Sequence, residues 1–219
     1  MSDLSPQILV YGFISYVVFL FSTTCHEASH ALVAKWGGDS TAALNGQVTL
    51  NPIPHIRREP WGMVIIPIAA FLFTQSMIGW ASAPFDPSWE RRYPKRAAVM
   101  ALAGPAANFL LMLIGAVGLR TLNWLRLPGE GLGFLVLFLI VLFRLNLLLG
   151  LFNLLPLAPL DGSAGIMLFM SESGAQRYLD WLRESSYARL GLLVGLLAFR
   201  YFYGPIEVFA TNLLIKGHF

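Results

Sequence analysis

A long apolar run near the start of the chain limits how it can fold more than any other feature. The run begins near Ile8, is apolar as far as Phe21 and continues to Trp36. About 18 or more such residues can cross the hydrocarbon core of a bilayer, which is roughly 30 Å thick. No basic segment precedes the run and no small-residue cleavage site follows it, so it predicts a membrane helix rather than a removable signal peptide.

Four more apolar runs follow, and the composition agrees with a membrane location. Apolar residues make up 56% of the chain and charged residues only 12%, about half the roughly 25% of soluble domains. So few charges cannot cover a surface in water, which excludes a soluble domain, a disordered chain and a coiled coil. The weak net charge of +3 indicates basic cytoplasmic loops rather than nucleic-acid binding. The runs cover residues 63–80, 97–119, 132–155 and 190–215.

We therefore predict an all-α polytopic membrane protein with about four to six membrane helices. It is expected to be one domain over residues 1–219, with a core at 8–170 and C-terminal helices at 171–219. The alternating residues 46–50 predict a short strand or hairpin near the active site. The two prolines in residues 51–54 argue against regular helix there.

The distribution of basic residues predicts that residues 63–80 re-enter the membrane rather than span it. With that topology ten basic residues lie on one side of the bilayer and two on the other, in agreement with the positive-inside rule. Pro67 is compatible with a re-entrant segment, because irregular backbone is tolerated where protein buries it. The ten are Lys35, Arg57, Arg58, Arg91, Arg92, Lys95, Arg96, Arg177, Arg183 and Arg189, and the two are Arg120 and Arg126.

The first apolar run contains ionisable residues in the order His26-Glu27-Ala28-Ser29-His30. Positions i and i+4 share one face of a helix, so both imidazoles can reach one ion, with Glu27 placed to act on a metal-bound water. Zinc accepts nitrogen ligands and lowers the pKa of its bound water to about 7. Because a charge in mid-membrane costs at least about 2.5–3.5 kcal/mol, a functional role is favoured over two packing histidines with a hydrogen-bonded glutamate.

A catalytic zinc also needs a third protein ligand and an open fourth position. Asp161 is one candidate, because it follows the helix-breaking Pro156 and Pro159 and precedes Gly162, which permits a tight turn. An Asp-Gly pair by itself is more often a surface turn, but beside an intramembrane His-Glu-x-x-His motif we favour the ligand. His55, which follows two prolines in a loop, is the rival third ligand.

Three blocks of the sequence, in this order, resemble the site-2 protease family of zinc intramembrane metalloproteases. They are the His-Glu-x-x-His motif, residues 103–109 with Gly104-Pro105 and Asn108, and the block from Asn153 to Gly162. The resemblance covers roughly residues 8–190 and extends to compact members of the family. The family's PDZ insertion is not expected here, since the loop between the third and fourth long runs is only about a dozen residues.

The resemblance implies that His26, His30 and Asp161 bind one zinc ion and that Glu27 is the general base. It implies that Asn153 orients the substrate or stabilises the oxyanion. Asn108 is expected to be structural or a polar neighbour of the site. The strand at 47–51 would pair with an unwound substrate by strand addition.

The predicted function is that of a membrane zinc endopeptidase cutting in or near transmembrane segments. The expected partners are a transmembrane protein substrate and the lipid bilayer, and the expected location is a prokaryotic plasma membrane with the active site toward the cytoplasmic leaflet. A metal or proton transporter is an alternative, although the internal repeats common in transporters are missing. A non-catalytic homologue is another. Arg144, in the fourth long run, either snorkels or pairs with a buried carboxylate.

Overall fold

The computed structural model describes residues 5–125, 131–184 and 190–216, and over these residues the chain is helical with no β-strand. Arg126 and Arg189, two of the basic residues used to predict topology, lie outside the described residues. The helices in chain order are α1 (Pro6–Gly37), α2 (Thr41–Leu44), α3 (Pro52–Arg58), α4 (Ile66–Thr74), α5 (Pro87–Arg92), α6 (Pro94–Trp124), α7 (Gly133–Asn153), α8 (Asp161–Gly165), α9 (Glu172–Glu184) and α10 (Gly191–Thr211).

Four of these helices, α1, α6, α7 and α10, are long and apolar enough to cross a membrane by length and composition. They suggest an integral membrane protein, as the apolar runs predict. The helix α10 passes through Pro205 and continues as a π-helical turn to Lys216, so the last apolar region is one long element. The helix α1 ends at Gly37, because Gly38 caps it in the left-handed conformation with φ 101°.

Two local predictions between α1 and α4 are wrong. Residues 48–50 form bends instead of the predicted strand, and Gln47 is buried. Residues 52–58 form α3, although two prolines argued against regular helix. Both prolines lie in the first turn, where no intrahelical carbonyl would accept their missing N–H, and the Asn51 side chain caps the helix by accepting a hydrogen bond from the Ile53 amide.

The predicted re-entrant segment forms a helix too short to cross a bilayer. A π-helical turn at Trp61–Ile65 leads into α4, and together they have 14 residues, or about 21 Å of helix. After α4 the chain runs without regular structure and returns to the π-helical turn, where the Trp80 amide donates to the Gly62 carbonyl at 3.1 Å. Whether the segment re-enters the membrane, and on which side, stays a prediction.

The three helices α1, α6 and α7 contact one another and form the centre of the molecule. One buried cluster joins all three through Val18, Leu111, Val141 and Leu142. On the side where α1 ends and α6 begins, α9 packs against α5 and α6. Its position is supported by two ion pairs, Arg91–Asp180 at 3.1 Å and Arg183–Glu90 at 2.7 Å.

The short helix α5 begins at a well-formed cap outside the long helices. Asp86 accepts hydrogen bonds from the hydroxyl and the amide of Ser88, both at 2.8 Å. These bonds, first that from the hydroxyl, lower the pKa of the Asp86 carboxyl. The Asp86 amide in turn donates to the buried Asp39 carboxylate at 2.8 Å, which ties this loop to the end of α1.

Arg144 lies near the middle of α7 and forms an ion pair with Glu207 of α10. The Tyr203 hydroxyl also donates to the Arg144 carbonyl at 3.1 Å. The Arg144 side chain is 61% exposed in the isolated protein, whereas that of Glu207 is 18% exposed. Of the two roles predicted for Arg144, the structure therefore favours pairing, although the carboxylate of Glu207 is half-buried rather than buried.

Replacing Arg144 by leucine is expected to lower the free energy of unfolding by about 2 kcal/mol, because the Glu207 carboxylate would lose its partner among apolar surroundings. The midpoint of thermal unfolding in detergent would measure the change. Arg200→Leu is a matched control, since Arg200 lies on the same helix as Glu207 and bonds only the neighbouring Tyr201 hydroxyl among the described residues. An equal shift in both variants would contradict the pairing.

Candidate metal centre

Two imidazoles of α1 and one carboxylate of α8 meet at the centre of the protein. The Nε2 atom of His26 lies 3.1 Å from Oδ2 of Asp161, and Nε2 of His30 lies 3.5 Å from Oδ1. The two histidine rings face each other edge-on with centroids 4.6 Å apart, as expected for i and i+4 on one helix face. The exposed fraction is 7% for His26 and 8% for His30. Two of the residues that the sequence predicts as metal ligands thus meet the third, Asp161.

The remaining nitrogen of each imidazole bonds to an oxygen of α6. Nδ1 of His26 donates to Oδ1 of Asn108 at 2.6 Å, and Nδ1 of His30 donates to the Met100 carbonyl at 2.8 Å. With Nδ1 carrying the proton, Nε2 of both rings presents a lone pair toward Asp161. An oxygen partner on the distal nitrogen is the usual environment of a metal-binding histidine.

Gly104 lies on α6 between these two partners, and its position has a steric reason. Met100, Gly104 and Asn108 are four residues apart and share one helix face, so the glycine lies directly against the rings. A Cβ atom at Gly104 would overlap Nε2 of both His26 and His30. The space beside the two Nε2 atoms therefore depends on the missing side chain at this position.

The arrangement of donor atoms fits a zinc ion. Oδ2 of Asp161 is buried and accepts no hydrogen bond from the described residues, although Nε2 of His26 is only 3.1 Å away. Two lone-pair atoms that face each other without a proton repel unless a cation lies between them. The two N···O distances, 3.1 Å to Oδ2 and 3.5 Å to Oδ1 of Asp161, are close to the separation of about 3.3 Å between ligand atoms on a tetrahedral zinc with bonds of about 2.0–2.2 Å.

Glu27 is the third ionisable residue of the motif and lies beside the two histidines. One carboxylate oxygen of Glu27 and one nitrogen of each histidine are all within 4.8 Å of one another. The residue is only 5% exposed, and no side chain in the described ranges donates a hydrogen bond to its carboxylate. A carboxylate at this distance from both histidines can act as a general base on a water held between them.

The structure places Asp161 through the loop that joins α7 to α8. Asp161 is the first residue of α8, and the helix packs on α6 beneath the histidines. A Cβ at Gly162 would overlap the backbone of Leu154, so only glycine permits this close return of the chain. The close approach at Gly162 agrees with the tight turn that the sequence predicts at this position, and the role of Pro156 and Pro159 stays a prediction.

Two other predicted site residues are not joined to this cluster by the described contacts. Asn153 is the last residue of α7 and is half-buried, and its role at the site stays a prediction. His55, the rival third ligand, is buried in α3, where its Nε2 lies 3.2 Å from the Thr49 carbonyl. Asp161 therefore lies against the two histidines, whereas His55 has no described contact with them, and the identity of the third ligand stays a prediction.

One element of the site was not predicted from the sequence, a pair of asparagines behind His26. Asn108 donates through Nδ2 to Oδ1 of Asn146 at 2.9 Å, and both residues are fully buried. Asn108 was expected to be structural or a polar neighbour of the site, and the second description agrees with its bond to His26. Asn146 could have been identified from the sequence, because an amide in the middle of an apolar run must find a partner inside the protein.

Comparison with known proteins agrees with a metal centre of this type. The chain is 37% identical over 150 residues to a protein of Bacillus subtilis (strain 168) named "Putative zinc metalloprotease YwhC". The aligned region is 67% of this chain and 64% of that relative, so it spans less than two thirds of the relative's length. This similarity supports a zinc metalloprotease family. No protein-family model and no solved structure matches the chain.

Proposed function

We propose that this protein is an intramembrane zinc endopeptidase of the site-2 type, which hydrolyses peptide bonds in or near transmembrane segments of other proteins. One observation carries the proposal. The Nε2 atoms of His26 and His30, both on a candidate membrane helix, lie 3.1 and 3.5 Å from the two carboxylate oxygens of Asp161, and the carboxylate of Glu27 lies beside the two histidines. The similarity to a relative named as a zinc metalloprotease supports the same reaction class.

In the proposed site, His26, His30 and Asp161 hold the zinc and leave one position open. When bound, zinc polarises a carbonyl and lowers the pKa of water to about 7. The two histidines are oriented for this role by their bonds to Asn108 and the Met100 carbonyl. Their burial also keeps bulk water away from the reacting groups.

Glu27 performs the proton transfers of the proposed reaction. Its carboxylate accepts a proton from the attacking water and returns that proton to the nitrogen of the leaving amine. This requires a carboxylate that is not held by another donor, and no described side chain donates to Glu27. The amide of Asn153 is proposed to donate to the substrate's carbonyl oxygen as negative charge develops there.

The proposed substrate is a membrane-spanning segment that has partly unwound. A helical peptide carbonyl is shielded by its own hydrogen bond and by the surrounding side chains. Helix-breaking residues near the scissile bond are therefore expected in good substrates. The proposed setting is a prokaryotic plasma membrane, with the site toward the cytoplasmic leaflet because most basic residues lie on that predicted side.

The test uses the full chain in proteoliposomes with a model transmembrane substrate carrying a helix-breaking pair at its centre. Cleavage is expected in the wild type, is expected to stop with a zinc chelator, and is expected to return when zinc is added. Mass spectrometry of the products would place the cut within or next to the membrane segment. Zinc flux across the vesicle membrane without cleavage would instead favour a transporter and contradict the proposal.

A further inference from the structure

A chain of buried polar side chains extends from His26 through the centre of the helix bundle. His26 bonds to Asn108, Asn108 bonds to Asn146, and Nδ2 of Asn146 donates to the Ser22 hydroxyl at 2.8 Å. Ser22, Asn108 and Asn146 are all 0% exposed. We refer to His26, Asn108, Asn146 and Ser22 as the Asn146 network, and it joins α1, α6 and α7.

The direction of every hydrogen bond in the network follows from one backbone carbonyl. Nδ2 of Asn146 also donates to the Leu142 carbonyl at 2.9 Å, and a carbonyl oxygen can only accept. The amide of Asn146 must therefore point its NH₂ group at Leu142, which turns its Oδ1 toward Asn108. Asn108 must then donate through Nδ2, so its own Oδ1 faces His26. As a result Nδ1 of His26 carries the proton and Nε2 is free.

The two histidines of the site differ in how their distal partner is fixed. His30 donates to the Met100 carbonyl, a backbone acceptor that cannot exchange its oxygen for an N–H group. His26 donates to an amide, which could rotate by half a turn and offer its NH₂ group instead. Such a rotation would reverse the bond and place the proton of His26 on Nε2, the nitrogen that faces Asp161. His26 therefore needs a further group that keeps Asn108 in one orientation.

We propose that Asn146 is a positioning residue that keeps His26 in the form able to bind metal. It acts through Asn108 and has no described contact with the donor atoms themselves. The effect on metal binding rests on the proposed function, whereas the effect on the position of the proton is a property of the metal-free protein. An apolar side chain at 146 would leave Nδ2 of Asn108 without an acceptor, and rotation of the Asn108 amide would then be favoured because NH₂ could donate to His26.

The experiment measures the position of the proton on His26 in metal-free protein by nitrogen NMR of ¹⁵N-histidine-labelled samples. The His26 signals are assigned by comparison with a His26→Gln sample. The wild type is expected to carry the proton on Nδ1. In Asn146→Leu we expect a large fraction with the proton on Nε2, and a zinc affinity lower by about 10–100-fold in chelator competition.

Two further variants separate positioning from a general loss of packing. In Asn146→Asp we expect both the position of the His26 proton and the zinc affinity to return to those of the wild type. A protonated aspartate keeps one oxygen as acceptor for Asn108 and donates its O–H to the Leu142 carbonyl. Thr24→Val is the matched control, since Thr24 is 0% exposed on α1 and its hydroxyl bonds none of the described residues. It is expected to match the wild type. Should Asn146→Leu not fold, Asn146→Ala removes the same amide without adding bulk.

The proposal is overturned if folded Asn146→Leu or Asn146→Ala keeps the proton on Nδ1 and binds zinc as the wild type does. It is also overturned if Asn146→Asp behaves like the leucine variant, since the acceptor would then not matter. If the wild type binds no zinc at all, the proposed function fails. The comparison of proton positions in metal-free protein would then decide the role of Asn146 by itself.

Discussion

Replacing Glu27 by glutamine is expected to lower the rate of substrate cleavage by about 10²–10⁴-fold, the range attributed to general acid–base catalysis. Glutamine has nearly the same shape but cannot accept the proton of the attacking water. Zinc content is expected to stay at the wild-type level, because the three proposed donors are on His26, His30 and Asp161. Cleavage in proteoliposomes and elemental analysis of the same samples would measure the two quantities.

The control for this substitution is Glu172→Gln, which makes the same change at an exposed position of α9. It is expected to leave cleavage unchanged. Unaltered cleavage in Glu27→Gln would contradict the assignment of Glu27 as the base. Loss of zinc together with activity would instead place the Glu27 carboxylate among the metal ligands, which its distance to the histidine nitrogens also permits.

Replacing Gly104 by alanine is expected to lower zinc affinity by at least about 100-fold and to abolish cleavage. The new methyl group would overlap Nε2 of both histidines, and the rings cannot withdraw without breaking their bonds to Asn108 and the Met100 carbonyl. Helix propensity alone would make this variant more stable than the wild type, because alanine is favoured over glycine by about 1 kcal/mol inside a helix. A loss of binding would therefore come from the clash.

Gly204→Ala provides the matched comparison for Gly104→Ala. Gly204 also lies inside a long apolar helix, but a Cβ atom there would meet no atom within 4 Å in the described structure. Zinc affinity and cleavage are expected to be unchanged in this variant. Wild-type zinc affinity in Gly104→Ala, measured by chelator competition, would show that the donor atoms do not converge beside this glycine.

Much of the helical framework could be predicted because membrane helices leave a strong and local signal. The apolar runs from Ile8, Ala97, Leu132 and Leu190 correspond to α1, α6, α7 and α10, the four candidate spans. The hydrocarbon core forces each run to satisfy its own backbone hydrogen bonds, so length and composition are enough to identify it. The termination of α1 at two glycines is a local signal of the same kind.

The chain between α1 and α4 was harder to predict because its structure depends on details of position. Proline destabilises the interior of a helix but is tolerated in its first turn. Whether residues 51–54 could form a helix therefore depended on where α3 begins. The alternation of residues 46–50 favours a strand only if a partner strand is present. Because Gln47 is buried and no strand lies in the described structure to pair with these residues, the local pattern was overridden.

In the candidate site, too, residues that are close together in the sequence were easier to predict than contacts between residues far apart in the chain. His26, Glu27 and His30 lie on neighbouring turns of one helix, so their convergence follows from helical periodicity. Asp161 joins them from 131 residues away in the chain, and the sequence pointed to it only through the prolines and glycine around it. The bonds of Asn108 and Asn146 could not be predicted, because they depend on how α6 and α7 pack against α1.

The most direct test of the account is the zinc content of purified protein by elemental analysis, in the wild type, Asp161→Ala and His55→Ala. The account predicts about one zinc per chain in the wild type and in His55→Ala, and loss of zinc in Asp161→Ala, because a catalytic site needs three protein ligands. Zinc retained in Asp161→Ala and lost in His55→Ala would contradict the site described here, as would a wild type that binds no zinc.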